Sequence, residues 1–307
     1  MTATPNEWPL VPFDSWADTA RTVHLYTQML GKTKLALSPA QPEWLHASLD
    51  VGARGLTTGA MPWGTSAVEA SLDFVDNELR VATSDGYRGE IDLSAARSVA
   101  EVWQRLLGIY EEIGIDADVW DKPQELADTT PFSTDTRPAV YDTAAVRRWW
   151  TVITAVRGVF DRWRSPFFGR SHVVFWWGAF DIGVMRFSGR TAAAPNDKGY
   201  IMRYDLDAEF MNAGFWPGDE NVTDPMFYAY IQPKPEGCEL APIDAHGAAW
   251  IEQMGEWTLP YDRARACDDP ARAVCDFLDQ VYMVAGEYGG WDLDAYRYTP
   301  PAPSERA

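Results

Sequence analysis

Cysteine and histidine, the side chains that most often carry catalysis and metal binding, are scarce in this sequence. Its 307 residues include 3 cysteines and 4 histidines. Cys238, Cys267 and Cys275 form no C-x-x-C pair and are odd in number, a pattern that disfavours a disulfide framework and a zinc site built from paired cysteines. The sequence therefore predicts reduced thiols in a cytoplasmic protein, and no residue is assigned as a metal ligand.

Positive charge is also scarce. The sequence has 26 Lys and Arg against 45 Asp and Glu, which gives a net charge of -19. Because binding to nucleic acid and to anionic membranes depends on clustered Lys and Arg, and no basic run occurs, we expect neither partner. We also find no signal peptide at the amino terminus and no apolar run long enough to span a membrane.

The common catalytic and nucleotide-binding motifs are missing. The sequence contains no G-x-S-x-G, H-E-x-x-H, G-x-x-x-x-G-K-[ST] or G-x-G-x-x-G. Gly31-Lys32-Thr33 is similar to the end of a phosphate-binding loop, but it follows a predicted helix instead of preceding one. No cofactor is therefore expected.

Tryptophan, by contrast, is abundant, with 15 residues. Each indole supplies a large apolar area and one N–H group that needs a partner, so such a number indicates either a large core or an aromatic-lined site. With 46 % hydrophobic residues, the chain is long enough to bury one large core or two smaller ones.

Four helices are predicted from apolar residues that recur every three to four positions. Pro270 stands where a first-turn proline belongs, and Gly289-Gly290 ends the last helix. The predicted helices cover Ser15–Leu30, Ala96–Ile113, Thr143–Trp163 and Pro270–Tyr288.

Strands are predicted between the first and second helices and again between the third and fourth. The segment SLDFVDNELRVATSDG alternates and turns like a hairpin, with Asp76-Asn77 at the bend. The predicted strands cover Trp44–Ala53, Gly55–Ala60, Val68–Val75, Leu79–Thr83, Arg88–Leu93, Val173–Phe187 with a break near Gly178, Tyr200–Met211 and Phe227–Gln232.

The two halves of the chain have similar helices and strands in the same order. Ala96–Gly114 aligns without a gap to Ala271–Gly289, and the first and third helices also align at their apolar positions. We therefore predict an α+β fold of two related halves, each built as helix, antiparallel strands, helix, in a pseudo-two-fold arrangement. The predicted boundaries are 1–117 for the first half, 118–141 for a connecting segment and 142–307 for the second half with insertions. A groove between such halves is where a binding site is expected.

Several short motifs resemble those of a bacterial family of about this length whose function is unknown. They extend over nearly the whole chain. The motifs are WPL at 8–10, HLYTQ at 24–28, GK at 31–32, ARGLTT at 53–58, TSDG at 83–86, FWWGAFDIGVMRFSGR at 175–190, AGFWPG at 213–218 and FYAY at 227–230. The resemblance implies no activity, cofactor or catalytic residue. In the family pattern a histidine precedes the aromatic run at the place of Val174, and here the nearest histidine is His172, two residues earlier on the same strand face.

Three residues are candidates for proton transfer. His46 lies next to Trp44 at the start of a predicted strand and is the favoured general acid or base. Asp181 and Glu209 interrupt otherwise apolar strands, where a buried carboxylate needs a partner or a wet cavity. The alternatives are that Asp181 pairs with an arginine to fix a hairpin and that Glu209 is a surface carboxylate. His24 is expected on a helix face and His246 in solvent.

Arginines within the strands are candidates for anion binding, because a guanidinium binds carboxylate or phosphate through two N–H groups. Arg186 and Arg190 lie in the second half, and Arg54 occupies a comparable place in the first. Thr57 and Thr58 would add hydroxyl donors, and Trp176, Trp177 and Trp216 would form an apolar wall.

The sequence thus predicts a protein that binds, or acts on, a small anionic or aromatic metabolite in the groove between its halves. Two alternatives remain open: a non-catalytic module that binds a protein or peptide, and a metal-dependent enzyme with His and Glu ligands. The oligomeric state is not determined by the sequence.

Overall fold

The protein has an α+β fold, with helices and antiparallel sheets in both parts of the chain. A computed structural model describes residues 8–116, 118–193, 206–299 and 301. These residues form two compact units. Unit 1 contains the described residues of Met1–Thr154, Val174–Asp181 and Pro217–Asp224; unit 2 contains those of Ala155–Val173, Ile182–Trp216 and Pro225–Ala307.

The four long helices lie where the apolar periodicity predicts them, although the first ends at Leu37 and not at Leu30, and the short helix Tyr261–Arg265 was not predicted. Ser98 accepts a hydrogen bond from the Glu101 N–H at the start of the second helix, and Asp269 accepts one from Arg272 N–H at the start of the last. These side-chain caps explain why the helices begin there. The helices are α1 (Ala17–Leu37), α2 (Val99–Glu112), α3 (Thr143–Arg164), α4 (Tyr261–Arg265) and α5 (Pro270–Gly289).

Unit 1 contains a meander of short antiparallel strands. They are β1 (Asp50–Val51), β2 (Gly55–Thr57), β3 (Met61–Trp63), β4 (Ser66–Asp73), β5 (Glu78–Thr83) and β6 (Arg88–Asp92). The order across the sheet is β1-β2-β4-β5-β6, and β3 pairs with β4. Val68, Ala70 and Leu72 alternate with more exposed residues along β4, so one face of the sheet is buried, as the period of two predicts.

Asp73 holds the β4–β5 turn together. Its carboxylate, 4 % exposed, accepts hydrogen bonds from Arg54 Nε at 2.5 Å, from Arg80 and from the backbone N–H groups of Val75 and Asp76. Burial alone would raise the pKa of Asp73, but the bonds from Arg54 and the backbone outweigh it and hold that pKa below its usual value. The turn therefore depends on an ionised aspartate.

Unit 2 contains a second antiparallel sheet, in which the strands follow the order β11-β12-β10-β9-β8. Its strands are β8 (Asp181–Thr191), β9 (Ala208–Trp216), β10 (Met226–Gln232), β11 (Ala249–Ile251) and β12 (Glu256–Pro260). The preceding strand, β7 (Val174–Trp176), belongs to unit 1, where Phe175 forms a bridge with Leu49.

A bulge interrupts β8 between Phe187 and Thr191. Gly189 lies inside it at a φ of 82°, a value that favours glycine, and a Cβ there would lie 1.9 Å from the hydroxyl oxygen of Tyr296. The bulge turns Arg190 toward the end of α5. Gly183, the other glycine of β8, pairs regularly with Gly214.

One strand prediction was wrong in part, and three strands were missed. Trp44–Ala53 begins as a 3₁₀ helix over Pro42–Ala47, in which Glu43 and Trp44 have φ values of 55° and 53°, and only Asp50–Val51 is a strand. The strands β3, β11 and β12 were missed, because each is short and lies in a segment rich in turn residues. The beginning of the predicted strand Tyr200–Met211 lies outside the described residues.

The proposed duplication and the predicted boundaries at 117 and 141 stay predictions. Each compact unit is assembled from separate stretches of chain, and the passage from unit 1 to unit 2 falls inside α3, after Thr154.

We expect Asp73→Asn to lower the free energy of unfolding by about 2 kcal/mol, because it removes the charge of the buried carboxylate that Arg54 and Arg80 share, while the exposed Asp76 still pairs with both. Urea denaturation at pH 7 measures the change. Asp85→Asn, in an exposed turn of the same sheet, is the control and should change it by less than about 1 kcal/mol. Equal effects of the two substitutions would contradict the role assigned to Asp73.

Candidate functional site

Helix α1 is buried along most of its length although it carries many polar side chains. Residues from Thr19 to Lys34 are nearly all buried. The hydroxyls of Thr22, Thr27 and Thr33 bond to carbonyl groups of the helix itself. His24, Gln28 and Lys32 instead reach other segments, and their spacing of four residues places them along one stripe. That stripe, with the segments it contacts, forms the candidate site.

His24 binds the turn between β7 and β8. Its Nε2 lies 3.0 Å from the carbonyl oxygen of Trp177 and 2.9 Å from that of Gly178, and its ring stacks on Phe180 at 4.8 Å. Since carbonyl oxygens only accept hydrogen bonds, Nε2 carries the proton. Burial lowers the pKa of His24 to about 4, against the bonds to Gly178 and Trp177, so the ring is neutral at pH 7.

Gln28 fixes the segment that follows α2. Its Oε1 accepts from the Gln124 N–H at 2.8 Å, and its Nε2 donates to the Gln124 carbonyl at 2.7 Å. The next residue, Glu125, has a φ of 57° and directs its carboxylate at Gly178, where a Cβ would lie 2.5 Å from Oε1. Glu125 keeps part of its surface in solvent, yet burial around the carboxylate raises its pKa.

Lys32 lies at the end of the stripe and is only 3 % exposed. Its ammonium donates to Gln124 Oε1 at 2.9 Å and lies 4.4 Å from the ring centre of Trp120 and 5.3 Å from that of Trp177. Burial lowers the pKa of Lys32 to about 8, and the more distant Asp121 carboxylate opposes this shift without cancelling it. The ammonium thus has one neutral acceptor and lies over two indole faces, which is a cation-π arrangement.

A comparison with protein families places this chain. The model of a family of unknown function, DUF5996, matches residues 8–298. The chain belongs to this family. No curated protein and no solved structure matches it. The resemblance noted in the sequence is therefore confirmed, and the motifs HLYTQ and GK supply His24, Gln28 and Lys32 to the site of this DUF5996 chain.

Among the described residues of the DUF5996 chain, no helix is both long and apolar enough to cross a membrane. Nor does that part of the chain hold a group of three or more His, Cys, Asp or Glu side chains arranged to bind a metal ion.

Of the residues predicted for proton transfer, His46 lies in the 3₁₀ segment of unit 1, 5 % exposed and stacked on Trp44 at 4.8 Å. Its Nδ1 accepts from the Gln41 N–H at 3.1 Å. Burial lowers the pKa of His46, and the Lys34 ammonium lowers it further. Its role as an acid or base stays a prediction.

The other predicted side chains of unit 1 are mostly engaged by their own strands. Arg54 is bound to the turn that Asp73 organises. Thr58 exchanges hydrogen bonds with the backbone of Ala70, and Thr57 accepts from the Gly59 N–H at 3.0 Å. Trp177, by contrast, does enter the candidate site, where its indole packs on Gly31.

Beside Trp177 in unit 1, Trp176 is half-buried in β7 and Asp181 is buried at the start of β8. His172, proposed to replace the expected histidine, is exposed just before β7, whereas Val174 is buried within it.

In unit 2 the predicted anion-binding arginines have protein partners. The Arg186 guanidinium, 5 % exposed, stacks 3.6 Å from the ring centre of Trp163 and 4.6 Å from that of Tyr282, and donates to the Trp163 carbonyl. Burial lowers its pKa to about 10. Trp163 lies in α3 and Tyr282 lies in α5, so Arg186 links β8 to both helices.

Arg190 and Glu209 are brought together and bind one another, with Nε 2.7 Å from Oε2. Arg190 also donates to the carbonyl of Gly289 at 2.6 Å, at the end of α5, where a positive charge is favourable. Trp216, half-buried at the end of β9, pairs with Met226. Their predicted roles in binding stay predictions.

Sequence reasoning missed the stripe on α1. The sequence predicts His24 only on a helix face, and it indicates Lys32 only as part of a segment similar to a phosphate-binding loop. The signal was present: HLYTQ and GK fall in one helix at positions four apart, and polar residues at that spacing inside a helix predict a buried polar face. Trp120, Gln124 and Glu125 carry no pattern that would have revealed them, since they lie in an irregular segment.

We expect Gly31→Ala to lower the free energy of unfolding by about 1–3 kcal/mol, although alanine is the better helix former, because the new Cβ would lie 2.1 Å from the Trp177 ring. Gly108→Ala in α2 is the matched control, since no atom lies within 4 Å of its Cβ position; it should be neutral or stabilising. Urea denaturation measures both. Stabilisation by both substitutions would show that Trp177 does not pack on Gly31.

We expect the free energy of unfolding to decrease as the pH is lowered from about 6.5 to 4, because of His24. The pKa of His24 is lowered on folding, so in that window the unfolded chain takes up a proton that the folded chain does not. The free energy of unfolding should drop by about 3 kcal/mol more in the wild type than in His24→Gln, which keeps an N–H donor but does not titrate. Urea denaturation from pH 7 to pH 4 measures the difference, and parallel curves would contradict a neutral buried His24.

Proposed function

We propose that this chain binds a small anionic molecule at Lys32, and that the indole rings of Trp120 and Trp177 hold the apolar or aromatic part of the ligand. The observation that carries the proposal is the environment of the Lys32 ammonium. It is buried, its hydrogen-bond acceptor is the neutral Gln124 amide, and none of the ion pairs formed by the described residues includes it.

The energetic argument rests on desolvation. Moving an ammonium from water into protein costs several kcal/mol, and an opposing charge in contact recovers part of that cost. The pKa of Lys32 is lowered to about 8, because the Asp121 carboxylate does not offset this desolvation cost. A ligand carboxylate at Nζ would supply the missing charge, and its binding would raise the pKa of Lys32 again.

Access to Lys32 is through Trp120. The Trp120 side chain is a surface residue, 55 % exposed, whereas the ammonium next to its ring is buried. A ligand that shifts this one ring reaches the ammonium without disturbing the core. Trp177, buried and packed on Gly31, provides a fixed second wall.

His24 and Gln28 position these groups. His24 binds the carbonyls of Trp177 and Gly178, and Gln28 binds the backbone of Gln124. Both segments that contact Lys32 are therefore fixed to the same helix that carries it. Such support holds a binding group in place before the ligand arrives, which reduces the entropy lost on binding.

The proposal keeps the class of ligand predicted from the sequence and assigns its anion to a different cation. Arg186 is enclosed by Trp163 and Tyr282, and Arg190 is neutralised by Glu209. Lys32 also lacks a carboxylate, but the Trp120 ring beside its ammonium is exposed, so Lys32 is the cation that we propose a ligand reaches.

The test uses benzoate, phenylacetate and indole-3-acetate, with benzamide as an uncharged control of matched shape. We expect at least one carboxylate to raise the melting temperature of the full chain at pH 7, and to bind in calorimetry, whereas benzamide does neither. Lys32→Met should lose the response, and Lys122→Met, which removes an exposed lysine of the same segment, should keep it. A response that survives in Lys32→Met, or no carboxylate-specific response in the wild type, overturns the proposal.

The pH dependence of binding gives a second test of the same site. Because the anion binds the charged amine, affinity should be level below pH 8 and fall about tenfold per pH unit above it as Lys32 loses its proton. In Lys32→Arg the guanidinium stays charged up to pH 10, so any binding that remains should be independent of pH in this range. The same decline in Lys32→Arg as in the wild type would show that another group titrates.

A further inference from the structure

A cysteine, a histidine and an aspartate meet in unit 2, far along the chain from Lys32. The Sγ atom of Cys267 lies 3.4 Å from Nδ1 of His246, and Nε2 of His246 lies 3.7 Å from an oxygen of Asp276. We propose that these three residues form a reactive-thiol site, at which Cys267 forms mixed disulfides with small disulfide compounds. Sequence spacing gave no sign of this group, because the three residues come from three separate segments.

Three elements hold the group in place. Cys267 follows α4 and precedes the first turn of α5, and Asp276 lies in the second turn of α5. The loop that carries His246 is tied to α5, since the Asp244 N–H donates to Gln280 Oε1 at 2.8 Å. His246 itself has a φ of 52° and is followed by Gly247 at 87°, so the chain reverses there.

The two ring nitrogens of His246 have different roles. Asp276 faces Nε2 and favours the tautomer that carries its proton there, which leaves Nδ1 as the acceptor that faces the thiol. Asp276 is itself held by Arg272, whose Nε lies 2.6 Å from its other oxygen. The arrangement is nucleophile, base and orienting carboxylate, in hydrogen-bond or ion-pair range of one another.

The charged groups around this site have both signs. Arg263, one turn before Cys267, offers its carbonyl as a second acceptor for the thiol at 3.4 Å. Asp268 and Asp269 follow Cys267, and Asp269 accepts from the Arg272 N–H as the cap of α5. The chemistry therefore depends on the contact with His246 and not on a surplus of positive charge.

The other two cysteines differ in their surroundings. Cys238 is fully buried, and burial raises the pKa of its thiol. Cys275 is half-buried, and burial raises its pKa as well. Cys267 is half-buried too, but its thiol contacts an imidazole that is itself exposed. Cys267 is thus the thiol that we expect to react with a reagent from solvent.

The reaction we propose is thiol–disulfide exchange. His246 Nδ1 takes the Cys267 proton, and the thiolate attacks one sulfur of the incoming disulfide. A bond forms between Cys267 and that sulfur as the original S–S bond breaks. The departing thiolate takes the proton from the imidazolium, so two electrons pass from Cys267 to the leaving half and no other oxidant is needed.

The experiment uses 4,4′-dithiodipyridine, an uncharged disulfide whose leaving group absorbs light, on the full folded chain at pH 6–7. We expect one thiol per chain to react rapidly, and peptide mass mapping to identify it as Cys267. His246→Gln should slow this phase at least tenfold, Asp276→Asn should slow it several-fold, and Cys275→Ala should leave it unchanged. Glutathione disulfide should add one glutathione to the wild type at the same residue.

Comparison with the unfolded chain separates an activated thiol from a merely accessible one. At pH 6 the Cys267 thiol should react faster in the folded wild type than in urea-unfolded chain, because only the folded chain places His246 Nδ1 beside it. In folded His246→Gln the rate should be no higher than in the unfolded chain. Modification of Cys267 at the same rate in the wild type, in His246→Gln and in urea-unfolded chain would overturn the proposal, as would rapid modification at Cys275 instead.

Discussion

The requirement that a buried helix satisfy its polar side chains organises unit 1. Helix α1 passes through the unit with His24, Gln28 and Lys32 on one stripe, and each of these needs partners away from water. The partners are backbone carbonyls at Trp177 and Gly178, the backbone of Gln124 and its side-chain amide. One set of hydrogen bonds thus joins the first helix, the segment after α2 and the turn after β7. Placing these segments also brings Trp120 and Trp177 around Lys32.

The cations of this molecule differ in the groups that contact them. Arg54 and Arg80 share Asp73, Arg190 has Glu209 and the end of α5, and Arg186 has two aromatic faces and a carbonyl. Arg186 resembles Lys32 in one respect: it is buried without a carboxylate, its Nε has no hydrogen-bond partner among the described residues, and burial lowers its pKa. The two cations differ in what covers them, because Trp163 and Tyr282 enclose Arg186 whereas the Trp120 ring beside Lys32 is exposed. This difference in access is why Lys32, and not the arginines within the strands, supports a ligand-binding proposal.

Most of the fold was predictable from local patterns. The apolar spacing in Ala96–Ile113 and Pro270–Tyr288 placed α2 and α5 within a few residues, and the alternation in SLDFVDNELRVATSDG placed the β4–β5 hairpin. Local patterns failed where the backbone departs from regular angles. Glu43 and Trp44 have positive φ values within an apolar run that looks like a strand, and β11 and β12 are too short to show an alternation. Only part of the candidate site was predictable. The sequence predicts Trp177 as a binding residue, whereas Gln124 and Glu125 lie in an irregular segment without a recognisable pattern.

The sequence by itself determined the α+β class, the positions of the long helices and membership in a family of unknown function, because periodicity and short motifs are local properties of the chain. The tertiary structure alone decided which polar groups meet. Lys32 and Gln124, Arg190 and Gly289, and Cys267 and His246 are each brought together by packing between segments distant in sequence. The pKa of Lys32 likewise follows from how much water that packing removes, a quantity that no spacing of residues encodes.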